Sequence, residues 1–299
     1  MQTTDSQVPN AAPTAGELNA QLRLFSEHLS RVVGGPPIQL PSYPVVALQA
    51  QRILMDPNAG LERLLGVISS EPVFAAKIVS MANSAALSRP GQRVASLRAA
   101  VSRLGFDALR TAAVSFALSQ LRNAAAYRGI AQPVKELCET GVEVGVLGFV
   151  LARHTRAALP DTALLAGLVS GMGKLYILTR AEEFPVLLAN SWTRRELFQS
   201  WHAQLAGHVL ENWQMPPEII DAVAGMDRAG TETREAPKLA DVLACAQLIR
   251  EMQQRPDELA LALIASQAAQ RLLLTPEVCD GLLEESLSER AQLASALTY

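Results

Sequence analysis

The chain has 299 residues, of which 47 are Ala and 44 are Leu, while aromatic residues make up only 5% and charged residues 18%. Ala and Leu lead the helix propensities, whereas strands favour β-branched and aromatic residues, so the composition excludes a β-sandwich or barrel and predicts an all-α protein. The net charge of −3 leaves no basic excess, and we expect no sequence-specific binding of nucleic acid.

In chain order, the residue pattern divides into five segments. Residues 1–16 are rich in Thr, Ser, Pro, Ala and Asn and lack apolar periodicity, which is typical of a disordered tail. Residues 17–37 hold a short helix and the start of a linker dense in Gly and Pro. Two helical parts follow at 38–130 and 131–255, with apolar residues at i, i+3, i+4 and i+7. Residues 256–299 are predicted to add two short C-terminal helices.

The cysteines and the N-terminus indicate a cellular compartment. Cys138, Cys245 and Cys279 are odd in number and widely spaced, so we interpret them as small buried hydrophobic residues in a reducing cytoplasm. The N-terminus shows neither the basic nor the apolar region of a signal peptide. The most apolar stretch, residues 163–173, is shorter than the ~20 residues of a membrane span. We therefore expect a cytoplasmic protein with no membrane association.

Two glycine-containing segments look like nucleotide-binding loops but have the wrong spacing. Residues 167–175, GLVSGMGKL, place Leu168 where a P-loop needs Gly and Leu175 where it needs Ser or Thr. Residues 141–148, GVEVGVLG, have the wrong intervals for a dinucleotide fingerprint. We interpret these glycines as points where two helices approach each other closely. Since neither HExxH nor GxSxG occurs, the motifs nominate no catalytic zinc site or nucleophile.

An excess of positive charge lies in the first half of the chain. Residues 77–128 contain eight Lys and Arg residues against a single acid, Asp107. Such a basic surface could meet an acidic protein face or a phosphorylated ligand. Alternatively, these residues form a solvated face that is balanced by the acidic remainder of the molecule. The candidate interaction surface comprises Arg89, Arg93, Arg98, Arg103 and Arg110.

Residues 38–255 resemble the HDOD domain, the HD-related output domain of bacterial signalling proteins. That family opens on an LPxLP segment, a DP turn, a motif near SDP and an ANS element, followed by a helix with Leu-Gly and Arg. The matching residues are Leu40-Pro41 with Pro44, Asp56-Pro57, Ser70-Glu71-Pro72, Ala82-Asn83-Ser84, Leu104-Gly105 and Arg110. The likeness continues through residues 163–175 and 202–223. It implies a multi-helical fold in which an N-terminal helical subdomain packs on a degenerate HD-like helical subdomain.

Catalytic HD phosphohydrolases hold divalent metals with a His, a His-Asp pair within HDxGK, and a distal Asp. By the resemblance, HDxGK falls at residues 170–174, where Ser170 and Gly171 replace His-Asp while the GK remains. The other former metal positions fall at Thr140, Gln247 and, for a further His pair, Met226 and Asp227. Because the neutral side chains of Ser, Thr and Gln bind divalent cations weakly, the resemblance implies no metal, no cofactor and no catalysis.

The resemblance therefore implies a non-enzymatic regulator or adaptor of bacterial signal transduction. Its partners would be other signalling proteins, and its working surfaces would be the arginine surface and the former active-site cleft. One alternative is a metal-dependent phosphohydrolase that uses different ligands, such as His202, His208 and Asp227. A further alternative is a binding module whose cleft holds a nucleotide second messenger without turning it over.

Overall fold

The computed structural model describes residues 14–36, 38, 40, 42–56, 58–84, 93–180, 183–228 and 236–298. Within these ranges the chain forms helices and no β-strand, which confirms the all-α prediction. The α-helices are α1 Ala15–Val33, α2 Val45–Met55, α3 Leu61–Ser69, α4 Pro72–Ala82, α5 Leu97–Asn123, α6 Ala131–Thr155, α7 Pro160–Leu168, α8 Met172–Leu178, α9 Pro185–Ala189, α10 Ser191–Asn212, α11 Pro217–Gly225, α12 Leu239–Met252, α13 Pro256–Ala265, α14 Gln267–Arg271, α15 Pro276–Glu285 and α16 Leu287–Leu297. Two 3-10 helices, η1 Ala125–Ile130 and η2 Met226–Arg228, complete them.

Helix α1 begins inside the segment that the sequence assigns to the tail. The Thr14 hydroxyl accepts a hydrogen bond from the backbone N–H of Glu17, and the Glu17 carboxylate accepts one from the backbone N–H of Thr14 at 2.8 Å. This reciprocal capping box satisfies two N–H groups that the first turn would otherwise leave free. Ala15 and Gly16 therefore belong to α1, and residues 1–13 of the expected tail lie outside the described residues.

Breaks within the helical runs follow local backbone chemistry. Gly105 has a φ of +74° and divides α5 into two segments, which confirms its prediction as the residue between two helices. The helix expected over 161–179 is instead two helices, α7 and α8, joined by a turn at 169–171. The C-terminal residues form four helices and not two, because Ser266 and Thr275 each cap a new start by accepting a backbone N–H.

The two helical parts pack on each other as the resemblance implies. In the first part α5 contacts α2 and α4, and in the second α6 contacts α7 and α12 while α10 contacts α8 and α11. Helix α5 joins the parts by contacting α6 and α7 as well. Helix α1 does not pack on its neighbours in sequence but on α9 and α10, where the rings of Phe25 and Phe184 lie 4.4 Å apart. The last helix, α16, returns to α6 and α4.

The most apolar segment of the chain forms the centre of the core. The stretch from Pro160 to Leu178 is long and apolar enough to cross a membrane, yet 83% of its most apolar window is buried inside the protein. Helices α3 and α4 pass the same test only as a pair bent by 118°. The three cysteines are free and buried, as predicted, and burial raises the pKa of the Cys138 thiol to about 11. The apolar surface of α7 and α8 is thus covered by other helices of the same chain.

Candidate functional site

The turn that carries Ser170 and Gly171 lies between α7 and α8, inside the second helical part. Ser170 is only 5% exposed, and its backbone N–H donates to the carbonyl oxygen of Gly167 at 3.1 Å. Gly171 is also buried, and a Cβ placed on it would lie 3.6 Å from Cδ2 of Leu137 on α6. The pair that replaces His-Asp is therefore a buried turn packed against an apolar side chain of α6.

Glycines bring the main chains of α6 and α7 into direct contact next to this turn. A Cβ on Gly145 of α6 would lie 2.7 Å from the carbonyl oxygen of Leu164, and a Cβ on Gly167 of α7 would lie 2.3 Å from Cα of Gly145. Real Cβ atoms do not approach other atoms this closely. These distances confirm the prediction that the glycines of residues 141–148 serve close helix packing.

Asp227 is the single anionic residue among the former metal positions. Thr140 on α6 and Gln247 on α12 are half-buried, and the Gln247 amide donates to a carboxylate oxygen of Glu251. In η2, Met226 is buried and Asp227 is exposed. Among the described residues, no group of three or more His, Cys, Asp or Glu could hold a metal ion. The donor set therefore does not fit the divalent metals of HD phosphohydrolases.

His202 is a buried histidine of α10 that packs against α8. It is 1% exposed, and α8 approaches it so closely that a Cβ on Gly173 would lie 2.1 Å from the His202 carbonyl oxygen. Burial lowers the pKa of His202 to about 3, with a further lowering by the Lys174 ammonium and a partly opposing effect of the Ser170 main chain. The imidazole is therefore neutral at physiological pH.

The alternative ligand set does not come together in the described part of the chain. His202 is buried and His208 half-buried on α10, whereas Asp227 is exposed in η2. The three residues do not form a group that could hold a metal ion. Catalysis through this set would need a rearrangement of α10 relative to η2.

A cleft of about 850 Å³ opens beside the Ser170–Gly171 turn. Its walls come from α8, α10, η2 and α12, and its lining residues are Lys174, Ser191, Arg194, Arg195, Phe198, Gln199, Asp227 and Glu251. The cleft thus joins the lysine of the GK remnant to Asp227 and to the carboxylate that Gln247 contacts. Sequence reasoning does not single out Arg194 or Arg195. The signal for them is a pair of arginines in the first turn of a helix, and their nearness to Lys174 is a matter of tertiary packing.

Two arginines of the candidate interaction surface are engaged within the protein. Arg98 pairs with Glu62 of α3 at 2.6 Å. Arg110 pairs with Asp107 at 2.7 Å and also donates to the carbonyl oxygen of Leu54 at 2.9 Å, near the end of α2. These contacts tie α5 to α3 and α2, so part of the positive charge serves the first helical part itself.

The other arginines of that surface occupy different environments. Arg93 is exposed and lines a groove of about 700 Å³ between the end of α4 and α16. Arg103 is half-buried, and Arg89 lies outside the described residues. The arginine surface stays a prediction, with Arg93 at an open groove as the member best placed to meet a partner.

The fold and the altered turn define the class of this protein: an all-helical, HD-like domain whose metal-ligand positions hold other residues. The sequence matches the HDOD domain family over residues 40–228. The chain belongs to the HDOD family, which confirms the resemblance seen in its motifs.

Solved structures with low sequence identity share the fold. A protein from Shewanella amazonensis, provisionally named a metal-dependent phosphohydrolase, is 23% identical, with 94% of this chain and 99% of that chain covered and a TM-score of 0.74. An HDOD domain protein of unknown function from Geobacter sulfurreducens is 19% identical, with coverages of 93% and 99% and a TM-score of 0.61. A protein from Marinobacter aquaeolei, provisionally named a signal transduction protein, is 23% identical, with coverages of 96% and 68% and a TM-score of 0.51. Among curated proteins, no sequence matches this chain.

Proposed function

We propose that this chain is a non-catalytic HDOD regulator of bacterial signal transduction, which acts in the cytoplasm through contacts with other proteins. The observation that carries the proposal is the donor set of the former metal site, where Thr140, Ser170, Gly171 and Gln247 stand in place of His and Asp. An HD-type hydrolase needs imidazole and carboxylate ligands to hold the metal that activates water. With those ligands replaced, the domain keeps the fold and loses the chemistry.

The names of similar proteins point in two directions. The Marinobacter protein is provisionally named a signal transduction protein, and the Shewanella protein a metal-dependent phosphohydrolase. At 23% identity a shared fold does not transfer either activity. The residues of this chain therefore decide between the names, and they favour the signalling role.

Metal content and hydrolysis test the absence of catalysis. We expect the purified protein to hold substoichiometric metal and to leave bis(p-nitrophenyl) phosphate intact in the presence of Mn²⁺. A variant with Thr140→His, Ser170→His, Gly171→Asp and Gln247→Asp is the matched control, because it restores imidazole and carboxylate donors, and it should retain more metal than the natural sequence. Stoichiometric metal together with turnover by the natural sequence would contradict the proposal.

Partner capture tests the contribution of the arginine surface. Arg93→Glu reverses a charge at the open groove, and Arg23→Glu reverses an 81%-exposed charge on α1 as a control. We leave Arg110 unchanged because its contact with Leu54 makes it part of the fold. We expect cross-linked partners from native lysate to be lost with Arg93→Glu and kept with Arg23→Glu. If both variants capture the same partners as the natural sequence, contacts at this groove play no part.

A further inference from the structure

The cleft beside the Ser170–Gly171 turn concentrates positive charge from two helices. Lys174 extends from α8, and Arg194 and Arg195 extend from the first turn of α10. Within the described residues, none of these three cations forms an ion pair with a carboxylate. On the neighbouring helix α12, by contrast, Arg250 is neutralised by Glu143 at 2.8 Å. The cleft therefore offers unneutralised cations to an anion from solution.

The N-terminus of α10 adds to this positive potential. The helix is 22 residues long, and the aligned peptide dipoles place a partial positive charge at its first turn. The Asn190 side chain already accepts the backbone N–H groups of Trp192 and Thr193, at 2.9 and 3.1 Å. Since these N–H groups are taken, an anion would be held by the side chains of Lys174 and Arg195, and the helix contributes field instead of hydrogen bonds.

The same cleft carries features that a bare inorganic anion would not use. Asp227 of η2 and Glu251 of α12 contribute carboxylates to the lining, and Phe198 contributes an aromatic ring. Ionised carboxylates accept hydrogen bonds and donate none, so they repel a simple anion and suit a ligand with N–H groups. An aromatic ring offers a face on which a planar base can stack. A ligand with an anionic end and a planar, amino-bearing end matches both halves of the lining.

We propose that this cleft binds a nucleoside phosphate without hydrolysing it. The phosphate lies between Lys174 and Arg195, and the amino-bearing base faces Asp227 and Glu251. The cleft volume of about 850 Å³ falls within the ~300–1,000 Å³ of small-molecule sites. Only the absence of hydrolysis depends on the proposed function, since the binding itself follows from the lining of the cleft.

Titration calorimetry with GMP, UMP and inorganic phosphate tests the site. Guanine presents two N–H donor groups on one edge and uracil has no amino group, so GMP should bind more tightly than UMP or phosphate. Lys174→Gln and Arg195→Gln should each weaken GMP binding about tenfold, because each removes a charge-assisted hydrogen bond. Arg23→Gln on α1 is the matched control and should bind as the natural sequence does. Arg194 is left unchanged because it also donates to the carbonyl oxygen of Leu188.

Two further measurements locate the ligand within the cleft. Asp227→Asn should reduce the preference for GMP over UMP and leave phosphate binding unchanged. Trp192 is 62% exposed next to Ser191 of the lining, so GMP should change the tryptophan fluorescence of the natural sequence but not that of Trp192→Phe. Circular dichroism of each variant confirms that it is folded.

The outcomes separate the binding site from the absence of catalysis. Absence of saturable GMP binding, equal binding of all three probes, or GMP binding that survives both Lys174→Gln and Arg195→Gln would overturn the site. GMP recovered intact by chromatography supports both proposals. Recovery of guanosine and phosphate would contradict the non-catalytic function while leaving the binding site in place.

Discussion

The substitution Gly167→Ala perturbs the contact that holds α6 and α7 together. A Cβ at this position would lie 2.3 Å from Cα and 2.4 Å from N of Gly145, well inside the ~3.5–4.0 Å of an optimal carbon contact. Because the clash is with the main chain of another helix, no change of rotamer relieves it, and the two helices must move apart. Overpacking of a core usually costs ~1–3 kcal/mol and occasionally more. With two backbone atoms in conflict, we expect a loss at or above the upper end, about 3 kcal/mol.

Urea denaturation followed by far-ultraviolet circular dichroism measures this loss in the free energy of unfolding. Gly66→Ala is the matched control, because Gly66 is exposed within α3 and a Cβ there meets nothing within 4 Å. In a helix, replacing such a glycine by Ala should stabilise the protein by ~0.5–1 kcal/mol. The two substitutions should therefore have opposite signs. A Gly167→Ala protein within about 0.5 kcal/mol of the natural sequence, against the expectation for overpacking, would refute the close contact between α6 and α7.

Three further predictions concern buried polar groups. Arg271 and Asp241 form an ion pair at 2.5 Å with side chains 8% and 3% exposed, so Arg271→Ala should lower the free energy of unfolding by ~3–5 kcal/mol, whereas the apolar pair Arg271→Met with Asp241→Leu should cost less in the same urea assay. The pKa of His202 is lowered to about 3, so below pH 6.5 the unfolded chain binds a proton that the folded protein does not. Stability should therefore fall as the pH drops from 6.5 towards 3, by about 2 kcal/mol at pH 5, and His202→Gln should flatten this part of the profile; an unchanged profile would contradict the assignment. The three buried cysteines should react with Ellman's reagent slowly at pH 8 and completely in denaturant, and rapid reaction of the native protein would show that they are accessible.

Much of the fold and part of the site could be predicted from residues that are close along the chain. The Ala and Leu content predicted the all-α class, and Gly105 predicted the break within α5, since a positive φ at a helix end strongly favours glycine. The spacing of the glycines in residues 141–148 predicted a close helix contact. The boundary of α1 was less accessible, because the Thr14 capping box outweighs the tail-like composition around it.

Contacts between remote segments depended on the packing of the whole chain. Helix α1 was expected to stand apart with its linker, yet its Phe25 packs on Phe184 far along the sequence. Arg98 was proposed as part of an open surface, and the structure pairs it with Glu62. Such partners cannot be read from spacing, because they arise when apolar faces of different helices bury one another and bring their polar flanks together.

The sequence by itself determined that the protein is helical, that it carries the motifs of the HDOD family and that Ser170 and Gly171 stand where a hydrolase has His and Asp. Composition, capping and motif order are local properties, so they can be read from neighbouring residues. Only the tertiary structure decided that Lys174 and Arg195 share one cleft with Asp227. The reason is physical: the cleft exists because α8 and α10 pack through Gly173 and His202, and η2 and α12 provide its other walls.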